Sequence, residues 1–489
     1  MWWREGVLYQ VYVRSFADAN GDGHGDLQGV RARLDYLERL GVDGVWLTPI
    51  HPSPNEDWGY DVADFLGVHP DYGTHEDLDA LVRDAGQRGL RILLDLVPNH
   101  TSDRHEWFHD PSKRDWYVWA DKPNNWRSTF GGPAWTFDDK IGKYYLHNFL
   151  PEQPDLNWWN EDVRDEFDRI LRYWFDRGIA GFRIDVAHGV VKDRELRDNP
   201  RRTSGDIRTE RVYNMNQPGV HEVYKRWRRL ANAYDPQRIF IGETWVSDID
   251  ELARYYGADD QLHLAMNFPF TMAPFRAAPM RRIVEWAERA YPPDAWPVWS
   301  GSNHDIVRFP TRWAGGDEAK VRCALLILLT LRGTPILYYG DELGLEQEDV
   351  PTEEQLDRAH SRDGARTPMP WTRRPRQDWW LRHGDTTRNV EDQEGDDSST
   401  LAYTRELIAV RRSSPELRTG AYASLDAGPG VWAWRRGEGT IVAVNLSVRA
   451  RVLSDVDGRI SLDTRGDRRG EVVAGRLRLE PWEGVVLRR

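Results

Sequence analysis

Four short apolar runs in this chain end in side chains that can move protons. Gly181-Phe182-Arg183-Ile184-Asp185-Val186 ends in a charged pair, and Asp95-Leu96-Val97-Pro98-Asn99-His100, Gly242-Glu243-Thr244-Trp245 and Ser302-Asn303-His304-Asp305 close three other runs. Carboxylates and imidazoles are the groups that serve as general acids, general bases and nucleophiles. In the first run, Arg183 and Asp185 project on the same side of a strand, because side chains repeat with period two. Taken alone, that pair also reads as a buried ion pair holding a strand end. The recurrence of such groups at strand ends, in order from Asp95 to Asp305, favours chemistry.

These groups need elements to position them. Apolar runs over 7–13, 44–50 and 90–97 alternate with helical periodicity over 27–40 and 74–87, the second helix entered through Thr74 as a cap. This alternation is that of a parallel β/α fold. It breaks at 101–158, where Trp, Asn, Asp, Pro and Gly cluster without a helical period, and we read that stretch as a small irregular domain inserted after the third strand. The alternation resumes with helices over 161–177, 220–234, 280–290 and 317–331 and strands over 182–186, 239–244, 262–268, 298–300 and 335–339. A polar excursion over 341–400 precedes a last helix at 401–412, and from 417 onward short strands and Gly-rich turns predict an antiparallel β domain. Eight strands in this order predict a (β/α)8 TIM barrel over 1–100 and 159–416, with the small domain at 101–158 and the β domain at 417–489. In such a barrel the carboxyl ends of the strands share one face, so the four polar endings would converge there.

Composition excludes several functions. Lys plus Arg minus Asp plus Glu is 66 − 79 = −13, so the chain lacks the basic footprint of a nucleic-acid binder. No apolar run approaches the roughly 18 residues of a membrane span, and Met1-Trp2-Trp3-Arg4-Glu5 has no secretory signal pattern, so a cytoplasmic protein is expected. The single cysteine, Cys323, lies in an apolar helical run and reads as a packed thiol. No dinucleotide-binding glycine pattern and no phosphate loop occur, so no organic cofactor is implied.

The four strand endings, together with Gln153-Pro154-Asp155-Leu156-Asn157, resemble the ordered signature segments of the α-amylase superfamily, glycoside hydrolase family 13. The resemblance implies that Asp185 is the nucleophile and Glu243 the acid/base of a retaining glycoside hydrolase, with Asp305 as the third carboxylate. It further implies that Arg183 keeps Asp185 ionised and that His100 and His304 bind sugar hydroxyls. Asp57-Trp58-Gly59-Tyr60 and the segment from Ser361 to Trp371 are similar to segments of α-glucosidases and oligo-1,6-glucosidases. By that likeness Tyr60 stacks under the terminal glucose while Asp57 and Arg362 grip its outer hydroxyls, with Arg366 as either a second grip or a loop anchor. The expected activity is exo-acting release of glucose from short α-glucosides. The alternative is a transglucosylase or isomerase acting on sucrose, trehalose or maltose. Val186, directly after Asp185, resembles the residue at that place in enzymes that accept α-1,6 bonds.

Asp18-Ala19-Asn20-Gly21-Asp22-Gly23-His24-Gly25-Asp26 sets oxygen ligands at alternate positions with glycines between, like the first half of an EF-hand loop without its twelfth-position Glu. It resembles the calcium loop after the first strand in the same branch, which implies Asp18, Asn20, Asp22 and Asp26 as side-chain ligands and His24 as a carbonyl ligand. A metal-free Asp/Gly turn is the alternative reading. Calcium there would be structural, because the glycosidase chemistry needs no Lewis acid.

Overall fold

The computed structural model describes residues 1–200, 211–357, 362–376 and 378–489. Eight strands form one parallel sheet: β1 (Leu8–Val11), β2 (Gly44–Leu47), β3 (Arg91–Leu96), β4 (Gly181–Ile184), β5 (Ile239–Gly242), β6 (Leu264–Ala265), β7 (Val298–Ser300) and β8 (Thr334–Tyr338). β1 pairs with both β2 and β8, and the last gap is bridged by parallel Met266 and Val298, so the sheet closes into a barrel.

Alternation along each strand separates the two faces. Leu8, Trp46, Leu93, Ile239, Ile241, Leu264, Met266, Val298 and Ile336 fill the barrel interior. Phe182 and Ile184 instead join the outer core, where Phe175 of a surrounding helix meets Phe182 at 5.4 Å between ring centroids. On β4 the inward positions therefore fall to Gly181, Arg183 and, just past the strand, Asp185. Gly181 leaves room for β5, since a Cβ there would sit 2.4 Å from the Ile239 carbonyl.

Around the barrel run α1 (Leu27–Ala32), α2 (Leu34–Leu40), α3 (His75–Gln87), α4 (Glu161–Asp176), α5 (Val220–Asn232), α6 (Ala277–Ala290), α7 (Glu318–Thr330) and α8 (Thr400–Ser413). Thr74 caps α3 as expected, in a reciprocal capping box with Asp77. The helix expected over 27–40 is two helices meeting at Arg33, whose φ of −106° and ψ of 9° leave the helical range. Its guanidinium lies 4.1 Å from the centre of the Trp371 ring. The strand expected over 262–268 is shorter, because Asn267 caps a helical turn at Phe268–Thr271.

Between β3 and α4 lies a three-stranded antiparallel sheet of Trp119–Ala120, Lys143–Leu146 and Trp135–Asp138. Strands of two to four residues are too short to print a period, and the sequence read as irregular there. The C-terminal part of the fold is an antiparallel sheet of β9 (Tyr422–Leu425), β10 (Val431–Arg436), β11 (Thr440–Asn445), β12 (Arg451–Asp463), β13 (Val472–Leu479) and β14 (Gly484–Arg488), in the order β9-β10-β11-β14-β12-β13. Trp432, Trp434, Val442, Val444 and Val486 join the core of the barrel's helical shell. The intervening Val431, Ala433, Ile441, Ala443 and Val485 form a separate core on the far face. The sheet approaches α7 so closely that a Cβ on Gly484 would lie 2.5 Å from Leu326.

No helix among the described residues is long and apolar enough to cross a membrane. Cys323 is buried, and burial pushes its thiol far above the ordinary range, as expected of a packed side chain.

Candidate active site

At the carboxyl end of the barrel, Arg183 is wholly buried and touches three carboxylates. Its Nη1 donates to Asp95 at 2.8 Å and to Asp185 at 2.7 Å, and its Nη2 lies 2.8 Å from Glu243 Oε2. The last contact is an ion pair out of line for a hydrogen bond. These residues come from β3, β4 and β5, whose parallel register sets Asp95 beside Arg183 and Arg183 beside Ile241. A single cation cannot hold three buried anions fully ionised. Burial first, opposed by Arg183 and reinforced by the neighbouring carboxylates, pushes Asp185 well above the ordinary carboxylate range and Asp95 up to about 6. Arg183 therefore does not by itself keep Asp185 at a low pKa. Beneath the cluster, Asp95 accepts from the Tyr60 hydroxyl at 3.0 Å and from the Trp46 indole at 3.2 Å.

Asp305 has the opposite electrostatics. Burial raises its pKa, but the charges of Arg362, Arg366 and Arg183 together hold it well below the ordinary range. Arg362 Nη1 and Arg366 Nη2 both reach Asp305 Oδ1, at 3.0 and 2.9 Å, and Arg366 Nε also donates to the His304 carbonyl at 3.0 Å. Arg366 is fully buried, so it anchors both the loop and the carboxylate. Arg362 Nη2 meets Asp57 Oδ1 at 2.5 Å, joining loops 305 residues apart in sequence, and its Nε meets Asp357 Oδ2 at 2.5 Å. Asp57 is held from its other side by Gln153 Nε2 at 3.0 Å, and the same amide reaches His100 Nε2 at 3.1 Å. Ser361, which opens the segment that carries Arg362, lies outside the described residues.

A cavity of about 680 Å³ brings together Asp57, Tyr60, His100, Asp185, Glu243, Asp305 and Arg362. Arg183 and His304 are not in its wall. Arg183 lies beneath it, and His304 stacks face to face on Tyr60 at 5.1 Å, with its Nε2 3.1 Å from Asp305. Burial holds His304 and His100 neutral. The wall also carries residues that sequence patterning did not single out: Phe130, Phe149, Met215 and Asn216. They lie in irregular segments without a period to mark them. Trp245 and His188 were visible beside the motifs but had no assigned role, and both line the cavity. Asp357 was legible only as one more acidic residue in a polar excursion.

Val186 has a φ of 45°, in the left-handed region that a β-branched residue rarely occupies. This turn ends the strand at Ile184 rather than at Val186 and aims the Val186 N–H at Glu243 Oε2, 2.8 Å away.

The loop from Asp18 to Asp26 lies apart from this cavity. Its side-chain donors are all oxygens, which suits a hard cation such as calcium. Asp18 accepts from the Gly21 and Gly23 amides, Asn20 from Asp22, Asp22 from His24, and Asp26 from Ala19 and Gly29. Arg376 Nη1 lies 3.6 Å from Asp18, and Nη2 donates to the Gly21 carbonyl at 2.8 Å. Among the described residues no three His, Cys, Asp or Glu side chains gather in a way that could hold a metal ion. The loop fits calcium in donor chemistry, and the expected set draws also on the Asn20 side chain and the His24 carbonyl, which lie outside those four side-chain types.

Comparison with known proteins bears on the whole chain. Residues 10–420 match the family model described as alpha amylase, catalytic domain. A protein of Rhizobium meliloti named probable alpha-glucosidase is 40% identical over 465 residues, covering 86% of this chain and 84% of that one. The crystal structure of the alpha-glucosyl transfer enzyme XgtA superposes with a TM-score of 0.93 at 37% identity, over 100% of this chain and 99% of that one. The trehalulose synthase MutB from Pseudomonas mesoacidophila superposes at 0.91 with 30% identity, again over 100% and 99%. With a matching family model over most of the chain and carboxylates converging at the barrel's carboxyl face, this chain belongs to the α-amylase family of glycoside hydrolases, family 13.

Proposed function

We propose that the protein is an exo-acting, retaining α-glucosidase that releases glucose from the non-reducing end of short α-glucosides. The observation that carries the proposal is a single guanidinium touching both Asp185 and Glu243 in a cavity walled on one side by the Asp57–Arg362 ion pair. Asp185 attacks the anomeric carbon while Glu243 passes its proton to the glycosidic oxygen, so the C1–O bond breaks and the second sugar leaves as an alcohol. Glu243, now a carboxylate, takes a proton from water as the water oxygen bonds to C1 and Asp185 is released. Two inversions give net retention. Asp305, held ionised by its arginines, accepts hydrogen bonds from sugar hydroxyls. His100 and His304 assist at the same sugar, His304 from behind Tyr60 through Asp305. Tyr60 supports the ring, and Asp57 with Arg362 closes the pocket beyond the terminal glucose, which supports exo action.

The test is the anomer first formed. NMR of fresh hydrolysate should show α-glucose, and Asp185→Ala should lose nearly all turnover while keeping the fold. β-Glucose as the initial product overturns the assignment.

A second reading is favoured by the neighbours named for glucosyl transfer and trehalulose synthesis: a sugar, instead of water, resolves the glycosyl-enzyme. A time course on sucrose, trehalose or maltose separates the two by released glucose against new disaccharide. The same proposal includes a cytoplasmic location, consistent with a lone buried cysteine that forms no internal disulfide. It also includes a structural calcium ion on Asp18, Asn20, Asp22, Asp26 and the His24 carbonyl, supported by the oxygen-only donors and taking no part in any step. No organic cofactor is invoked.

A further inference from the structure

Glu243 is gripped unequally at its two oxygens. Oε2 faces Arg183 Nη2 at 2.8 Å and the Val186 N–H at 2.8 Å. Oε2 accepts the Val186 N–H and faces the positive charge of Arg183, and both disfavour a proton on that oxygen, so a protonated Glu243 carries its hydrogen on Oε1. Oε1 accepts one hydrogen bond, from the Trp245 indole Nε1–H at 3.0 Å. With one lone pair committed to the indole, the O–H on the other has a fixed direction. The indole is itself fixed, stacked on Phe268 at 3.7 Å and 11° between ring planes. Phe268 is buried at the start of the helical turn after β6. Trp245 also forms part of the cavity wall beside Val186.

We infer that Trp245 is a positioning residue for the proton-donating oxygen of Glu243: its N–H orients Oε1, and its ring is locked by Phe268 so that this orientation survives when the second sugar arrives and leaves. The inference rests on Glu243 being the acid/base. Trp245 acts through Glu243, so its importance should scale with how much proton a leaving group needs. A disaccharide expels a sugar alkoxide and needs the proton. α-Glucosyl fluoride expels fluoride, which leaves with little help. A residue that merely shaped the wall at the second sugar would act on the disaccharide's KM and leave its kcat unchanged, and one that shaped the glucose pocket would affect both substrates alike.

The experiment compares Trp245→Phe, which keeps a ring against Phe268 and removes the N–H, with the parent on both substrates. The expected result is a loss of about 10-fold or more in kcat on the disaccharide, within the range of general acid catalysis, and a change under about 3-fold on the fluoride, which also reports an intact fold. Equal losses on both substrates, or a loss confined to KM, overturn the inference. Glu243→Gln with added azide tests the underlying reading separately: trapping as α-glucosyl azide, formed when azide displaces Asp185 from the β-linked glycosyl-enzyme, supports Glu243 as acid/base whatever Trp245 does. Absence of that product removes the reading itself.

Discussion

Asp57 and Arg362 meet at 2.5 Å in a site where Asp57 is 5% exposed, so each neutralises a charge that burial would make costly. Removing Asp57 leaves Arg362 its pairs with Asp305 and Asp357 but takes an acceptor from Gln153 Nε2 and from the sugar, and a buried polar group left unpaired costs about 1–3 kcal/mol. Asp57→Ala should therefore cut kcat/KM on disaccharides by about 10- to 100-fold, in line with that range. Steady-state kinetics beside circular dichroism of the variant check this, and near-normal kinetics would remove the exo assignment. Starch should be a poor substrate in either protein. Val186 carries a second prediction at this scale. Its side chain lines the cavity from a left-handed backbone, so substitution alters the wall beside the second sugar without moving Asp185 out of register. By resemblance, Val at this place favours α-1,6 bonds. The isomaltose-to-maltose ratio of kcat/KM should exceed one in the parent and fall in Val186→Thr or Val186→Ala. One methyl group in a pocket is worth about 1–3 kcal/mol, so the shift should be about 10-fold. A maltose-preferring parent whose ratio neither variant moves would show that other loops orient the second sugar.

At the scale of elements, the loop from Asp18 to Asp26 joins β1 to α1, and two kinds of cation can hold it. Arg376 reaches Asp18 and the Gly21 carbonyl, while the alternate oxygens suit calcium. An ion bound only to the folded state adds stability. Excess chelator should therefore lower the melting temperature, with bound calcium found by elemental analysis. An unchanged melting temperature with no metal present, together with a drop in Arg376→Ala, would assign the loop to the guanidinium instead. The elements differ in how far they could be read beforehand. The barrel strands were legible because they are apolar runs alternating with helices and four of them end in polar groups, as with Phe182 and Ile184 outside and Arg183 and Asp185 inside. The ends were less legible: Val186 belongs by type to a strand, yet the contact with Glu243 holds it in a left-handed turn that no local propensity favours. Part of the cavity's wall was not legible. Phe130, Phe149 and Met215 come from segments whose conformation is set by contacts distant in sequence, such as Asn148 accepting from Asn214. Asp357, five residues before Arg362, could have been suspected from its spacing, but only the fold shows both of its oxygens on that arginine.

Across the whole molecule, two sets of buried groups pull stability against pH in opposite directions. Burial lowers His51, His105 and His188 to about 4 and His263 further. Their folded pKa values lie below the unfolded value near 6.5, so as pH falls the unfolded chain takes up protons first. The stability they contribute is complete above about pH 6.5 and is lost progressively towards pH 4. Burial raises Asp61 and Asp95 to about 6 and Asp341 to about 7. For these the folded chain holds protons the unfolded chain has released, so their contribution is complete below about pH 4 and is lost as pH rises through 6 to 7. A pH titration of the parent sums the two sets and resolves neither. His51 allows one to be isolated: it is wholly buried, bonded through Nδ1 to the Gly67 carbonyl at 3.1 Å, and packed against Trp174. His51→Phe removes the titrating group and the Gly67 bond while keeping a ring of similar size. The lost bond is a cost independent of pH, whereas the lost titration is not. The difference in melting temperature, parent minus variant, should therefore shrink steadily from pH 6.5 to pH 4. A difference that stays constant across that range would mean that His51 is not kept neutral by burial in the folded chain.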